Sequence, residues 1–207
     1  TGVNFSCLLC LRRQRLRIIN PSSYLPFLKW IDYIVLKNNK DKRQAVMELF
    51  NKTSIVNNLD NHLPDELSHY PIIHQQPIHW GEMDAFNHLN NVVYYRYAES
   101  ARIGYLQALG MFDSNMVTVL AQSSCQYLLP VIYPDTLLLG VRCQRLGTTS
   151  IVIEYSYYST AQAAIVATAE AVVVRLDSNS QDKKPWTEEE RERLLALEAT
   201  FGYIPQI

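Results

Sequence analysis

The 207-residue chain lacks most of the features that place a protein in a specialised class. It has no low-complexity tract and no internal repeat, which excludes fibrous and solenoid architectures. An apolar stretch, SSYLPFLKWIDYIVL, is interrupted by Pro26, Lys29 and Asp32. It falls short of the ~20 residues a spanning helix needs, so it reads as an amphipathic helix and no transmembrane segment is expected. Four cysteines do not make a framework. Cys7 and Cys10 form a lone CxxC with no second pair and no histidine at ligand spacing, short of the set a tetrahedral zinc requires, so no metal is expected. Cys125 and Cys143 sit in strand-like apolar runs, where a thiol behaves as a small hydrophobe. A reducing compartment is the simpler assumption. The net charge of -1 gives no pull toward nucleic acid or acidic membranes.

Acid is also missing at one end. No Asp or Glu precedes Asp32, while Arg12, Arg13, Arg15 and Arg17 alternate with other residues. Residues 1 to 43 carry a charge of +7 and residues 44 to 207 a charge of -8. An Arg-bearing, acid-poor start has the composition of an organellar transit segment, which points to a mitochondrial address. A solvated basic arm on a cytoplasmic protein is the plain alternative. A short helix is expected over RQAVMELFN from Arg43. The polar run NNLDNHLPDELSHYP, residues 57 to 71, reads as a linker with two prolines. The expected division is therefore an extension and linker over 1–70, and one folded domain over 71–207.

What the domain has is a strong periodic signal. IIHQQPIHW reads as a strand, with Pro77 pointing to an edge or a bulge. From Asn91 to Leu109 a helix is expected: Val93, Tyr97, Ala101 and Tyr105 recur every four residues, and Tyr94, Ala98 and Leu109 widen the stripe. Gly110 stops it. The small Ala98 and Ala101 would let it lie close on a sheet. MVTVLAQSSCQYLL, TLLLGVRCQRL, SIVIEYSYYST and AAIVATAEAVVVRL are rich in β-branched and aromatic residues and joined by short breaks, so antiparallel pairing follows. TEEERERLLALEA opens with Thr187 and Glu190 as a capping box and reads as a surface helix. The expected fold is α+β, one long helix wrapped by an antiparallel sheet of about five strands.

Between the first strand and the long helix lies GEMDAFNHLNN, with two acids, a histidine and three asparagines in a turn. Asn90 suits a helix cap. His88 either orients Asp84 or satisfies the turn backbone, and Glu99 and Arg102 are spaced to pair on the helix. A carboxylate near a helix N-terminus, where free N–H groups carry partial positive charge, is suited to attack on a carbonyl.

The stretch WGEMDAFNHLNNVVYYRYAESARIGYL, continued through CQYLLPVIYPDTLLLGVRCQRLGTTSIVIEY and AIVATAEAVVVRLD, resembles hotdog-fold acyl-CoA thioesterases of the 4-hydroxybenzoyl-CoA thioesterase type over about residues 72 to 185. The resemblance implies that Asp84 carries the chemistry, as nucleophile or as general base through water. Asn91 would sit beside it, its N–H facing the thioester oxygen, with His88 in support. Asn90, Tyr94, Thr148, Thr149 and Ser150 would contact substrate. Glu82 replaces the commoner Asp and reads as a surface or supporting carboxylate. The family's basic run before the fourth strand is replaced by Gly147, Thr148 and Thr149, so phosphate charge would come from elsewhere, Arg142 or Arg145 being nearest. The implied substrate is an acyl-CoA or acyl-carrier thioester, with coenzyme A entering only as part of the substrate and no separate cofactor. The implied assembly is a homodimer or homotetramer whose sites draw on both subunits. The alternative is a catalytically silent hotdog subunit with a structural or assembly role in a larger complex, possessing the fold without the reaction.

Overall fold

The chain divides into two compact units, Thr1–His62 and Leu63–Ile207. The computed structural model describes residues 63–111 and 117–207. The basic arm with its transit-like arginines, the Cys7–Cys10 pair, the amphipathic segment and the helix expected from Arg43 lie outside the described residues. The second unit takes in residues 63–70, which the sequence reading left in the linker. Leu67, in a short 3-10 turn over Asp65–Leu67, and Tyr70 are both buried.

The described elements are β1 (Ile72–Pro77), α1 (Asn91–Ala108), β2 (Val117–Tyr127), β3 (Thr136–Leu146), β4 (Ser150–Ser159), β5 (Ala164–Leu176) and α2 (Glu188–Thr200). All five strands form one antiparallel sheet in the order β1-β3-β4-β5-β2. This is the hotdog arrangement expected from the sequence. Pro77 ends the edge strand β1, where its missing N–H costs no ladder bond. Register shifts at Leu120/Gln122, Cys143/Arg145 and Tyr157/Tyr158 bend the sheet around the helix.

α1 runs as the periodicity required, and Val93, Tyr94, Tyr97, Ala98, Ala101, Tyr105 and Leu109 are all buried. Gly110 ends it in the left-handed region at φ 65°. The face of β4 turned to α1 carries Ile151, Ile153, Tyr155 and Tyr157, all fully buried. Burying each isoleucine stabilises by roughly 1.5–3 kcal/mol. The tyrosines keep their hydroxyls paired: Tyr157 donates to the Tyr94 carbonyl at 2.8 Å, and Tyr155 accepts from Arg102 at 3.4 Å. Arg102 therefore reaches into the sheet and does not pair with Glu99.

The opposite face of the sheet is covered at one place by residues 67–70. Gly140 makes room for them, since a Cβ there would lie 2.6 Å from Tyr70 Cγ. Tyr70 donates to Glu154 at 2.7 Å, and Arg142 pairs with the same carboxylate at 2.7 Å while lying over the Tyr70 and Tyr203 rings. α2 starts with the expected capping box, Glu190 N–H to Thr187 Oγ1 at 3.2 Å and Thr187 N–H to Glu190 Oε2 at 2.7 Å. It is more than a surface helix: Leu194, Leu197 and Glu198 are buried at i, i+3 and i+4. Beyond it, Gln206 pairs alongside β3, donating to the Gln144 carbonyl at 3.0 Å and accepting from Leu146 N–H at 2.7 Å. Cys125 and Cys143 are free thiols, the second fully buried.

Candidate active site

The segment between β1 and α1 folds as a small ladder. Asn90 N–H donates to the Glu82 carbonyl at 3.0 Å, Met83 and Leu89 form an antiparallel bridge, and Asp84 N–H donates to the His88 carbonyl at 2.7 Å. The turn at its tip is built on the Asp84 side chain. Oδ1 accepts from Phe86 N–H at 2.8 Å and His88 N–H at 3.1 Å, an arrangement favoured by Asp at such positions. Asn87, at φ 62°, closes the turn in the left-handed region that Asn tolerates. Among the described residues, nothing donates to Asp84 Oδ2. One carboxylate oxygen is fixed and the other is available.

The start of α1 supplies an open N–H donor. Asn90 is the N-cap, and its Oδ1 accepts from Val92 N–H at 3.1 Å. Val93 N–H donates to the Asn90 carbonyl at 2.9 Å. Asn91 is the first helical residue, and no acceptor among the described residues takes its N–H. That N–H carries the positive end of the helix dipole. The Asn91 carbonyl is held by the Tyr127 hydroxyl at 3.1 Å. Carboxylate and donor thus belong to one local structure, bounded below by Tyr94, whose ring packs against Tyr127 and Tyr157 with centroids 5.0 and 5.4 Å apart.

The other expected residues are placed differently. His88 acts through its backbone, and its exposed imidazole has no hydrogen bond among the described residues. The Asn90 side chain is committed to capping, and Tyr94 is buried with its ring shut in by two others. Thr148, Thr149 and Ser150 lie at the far end of the sheet. β3 leaves the Asp84 end at Thr136 and reaches them only after eleven residues, on the order of 35 Å. The turn that holds them is braced from the C-terminal segment: Arg191 donates to the Gly147 carbonyl at 2.8 Å, Trp186 N–H to the Thr148 carbonyl at 2.9 Å and Arg175 N–H to the Thr149 carbonyl at 2.8 Å. With three successive carbonyls engaged, the Thr148 and Thr149 N–H groups and hydroxyls have no partner among the described residues. Arg142 is committed to Glu154, while Arg145 is exposed and Arg191 has no ion pair among the described residues. Arg191 escaped the sequence reading because it lies 44 residues from the turn it braces.

Glu82 does more than the sequence reading gave it, and Cys125 behaves as the inert thiol expected of a strand position. The Glu82 carboxylate, 11 % exposed, accepts from His79 N–H at 2.8 Å and from the Tyr97 hydroxyl, and pairs with Arg96. Burial pushes its carboxyl up, but the Tyr97 and His79 hydrogen bonds and the Arg96 charge outweigh that and leave it below its usual range. Cys125, on the helix-facing side near Tyr127, is pushed up to about 11 by burial, so it is a thiol and not a thiolate nucleophile. No group of three His, Cys, Asp or Glu among the described residues is placed to hold a metal ion.

Known proteins resemble this chain in sequence and in fold. An uncharacterized protein, YsmA, of Bacillus subtilis is 32% identical over 120 residues, 57% of this chain and 81% of its own. The PA5185 protein of Pseudomonas aeruginosa superposes with a TM-score of 0.57 at 28% identity, covering 63% of this chain and 94% of that one. A thioesterase of Thermus thermophilus, solved with coenzyme A and zinc, gives a TM-score of 0.55 at 28% identity, covering 63% of this chain and 97% of that one. The family described as the Thioesterase-like superfamily matches residues 78–194, which span the Asp84 ladder, the whole sheet beyond β1 and the first part of α2. With more than half of its length so matched, this chain belongs to the thioesterase-like superfamily.

Proposed function

We propose that the protein hydrolyses acyl-CoA thioesters to a free carboxylic acid and coenzyme A, in the manner of the 4-hydroxybenzoyl-CoA thioesterase type. The observation that carries this reading is the Asp84 carboxylate, anchored through Oδ1 and free at Oδ2, on the same ladder as the unpaired Asn91 N–H. A thioester carbonyl oxygen accepting from that N–H would gain stabilisation as it becomes an oxyanion. Asp84 Oδ2 then either takes a proton from water, which attacks the carbonyl carbon, or attacks the carbon itself and forms an anhydride that water opens. In both routes the C–S bond breaks, the thiolate leaves and is protonated, and one water is consumed. The coenzyme A held by the Thermus relative supports a CoA carrier.

A second copy completes the site in this reading. β2 is an edge strand whose residues are mostly exposed, and Leu120, Tyr127, Leu128, Leu129, Ile132 and Tyr133 are exposed hydrophobics along it and the loop after it. Such an edge requires cover. Antiparallel pairing of β2 with the β2 of a second molecule runs the two sheets head to tail. The Gly147–Ser150 turn of one copy is then at the Asp84 end of the other. The open N–H groups and hydroxyls of that turn, with Arg191 and Arg145, suit the nucleotide phosphates of coenzyme A.

The test is incubation of the purified chain with a panel of acyl-CoAs and acyl-carrier thioesters, with released thiol read by a colour reagent. Turnover of at least one CoA thioester that Asp84→Asn abolishes is expected. No turnover of any thioester would favour the silent-subunit alternative. In single-turnover hydrolysis in 18O water, label in Asp84 would identify the anhydride route, because a water oxygen enters that carboxylate only when an anhydride is opened at the Asp84 carbon.

A further inference from the structure

The Asp84 turn is self-contained, yet little holds it in place. Phe86 at its tip is 82 % exposed and anchors nothing in the described unit. One leg of the ladder is fixed by buried Leu89, whose N–H donates to the Val131 carbonyl at 2.8 Å. The leg that carries Asp84 is fixed by Glu82, two residues before it. The Glu82 carbonyl accepts from Asn90, the cap of α1, and its carboxylate accepts from Tyr97 and Arg96 in the second turn of the same helix. Tyr97 is buried, and helical side chains slant toward the N-terminus, so its hydroxyl is brought back to the level of the cap. One residue thus grips α1 at two heights and also fixes the entry to the loop through His79 N–H.

We infer that Glu82 is a positioning residue for the reaction: it sets the Asp84 carboxylate relative to the Asn91 N–H by clamping the carboxylate's leg of the ladder to the first two turns of α1. This rests on the assignment of Asp84 as the reacting group. The clamp has a directional consequence. Tyr97 and His79 both donate to Oε2, whereas only the 60 % exposed Arg96 contacts Oε1. A glutamine can retain the first oxygen and its two donors. It loses only a solvent-screened ion pair.

The test uses the full chain with Glu82→Ala, Glu82→Gln and Tyr97→Phe, read by amide hydrogen exchange and by steady-state kinetics. Glu82→Ala is expected to speed exchange at Phe86, His88 and Asn90 by about tenfold or more, leaving β3 and β4 protected. kcat should fall by on the order of tenfold with KM within about twofold, because reacting groups lose alignment while the carrier is held elsewhere. Glu82→Gln should restore both readouts to within about threefold, and Tyr97→Phe should lie between. Exchange unchanged over residues 84–90 in Glu82→Ala, or raised equally across the sheet, would overturn the inference. If the parent chain hydrolyses no thioester, the assignment of Asp84 fails, while exchange still decides whether Glu82 holds the loop.

Discussion

The two ends of the sheet are built in different ways. At the Asp84 end every interaction that shapes the loop comes from residues 79 to 97, apart from the Val131 and Tyr127 contacts. At the other end the Gly147–Ser150 turn takes its shape from Arg175, Trp186 and Arg191, which lie 26 to 44 residues further along. Local construction suits a group that must be set finely against a helix terminus. Remote construction ties the turn to the C-terminal helix, so its shape depends on a separate element being docked.

This contrast can be tested from both sides, and the largest effect is expected at the local end. Asp84→Asn keeps an Oδ1 for Phe86 and His88 N–H but can neither attack nor accept a proton, so kcat should fall by a factor of roughly 100 or more with an unchanged Tm. Near-parental turnover at equal Tm would rule out the mechanism.

A charge on the exposed edge should join the two ends in one phenotype. Leu120→Lys, at a side chain 49 % exposed on β2, is expected to give monomers by light scattering and to lower kcat/KM by about tenfold or more. An active monomer would contradict a site shared between copies.

At the remote end, Arg191→Ala should raise KM for acyl-CoA about fivefold, with kcat within about twofold. A short pantetheine thioester, which has no nucleotide phosphates, should be turned over as before. Equal losses on both substrates would show that the turn, and not phosphate contact, was damaged.

A smaller effect concerns α2. Glu198 is fully buried and its carboxyl is pushed up to about 7, chiefly by burial, against the Tyr105 hydroxyl at 2.5 Å and the Cys143 N–H at 2.6 Å. A folded-state value raised from 4.5 means that the native chain holds the proton more tightly than the unfolded one. The associated stability is complete below about pH 4.5, is lost as pH rises toward 7, and amounts to on the order of 3 kcal/mol. Glu198→Gln should flatten Tm against pH in that window and raise Tm at pH 8. A parental slope in the variant would place the titration elsewhere.

The least effect is expected from the N-terminal unit. Removal of residues 1–62 should leave kcat/KM within about tenfold of the parent, since every residue assigned to the chemistry lies beyond it. Removal of residues 1–70 should in addition lower Tm, because Leu67 and Tyr70 then no longer cover Gly140. A larger loss from the shorter truncation would give the arm a part in catalysis.

How much of this was legible follows the same division. α1 was readable because a four-residue apolar period, an Asn cap and a glycine stop all lie within one segment. That Asp84 falls just before the helix start at Asn91 was readable from the same segment, while the role proposed for Asp84 came from the family resemblance and not from the periodicity. Glu82 was visible as a carboxylate but not as a clamp, because its grip depends on Tyr97 slanting back along the helix. Glu198 had a usable signal: with Leu194 and Leu197 it continues the buried stripe of α2, so its period argued for burial even though its charge argued for solvent. The bracing of the 147–150 turn had no such signal, since nothing in a polar segment says which distant carbonyls it will meet.

The tryptophans offer an optical consequence. Trp80 is 75 % exposed beside the Glu82 loop, whereas Trp186 is 4 % exposed with the Arg175 guanidinium 6.0 Å from its ring. In a chain of residues 63–207 these are the two indoles, one wet and one dry. The wet one should emit at longer wavelength and be accessible to iodide or acrylamide, and the dry one should be shielded until α2 undocks. A single emission spectrum therefore carries two clocks, one reporting occupancy at the Asp84 loop and the other the release of the C-terminal helix.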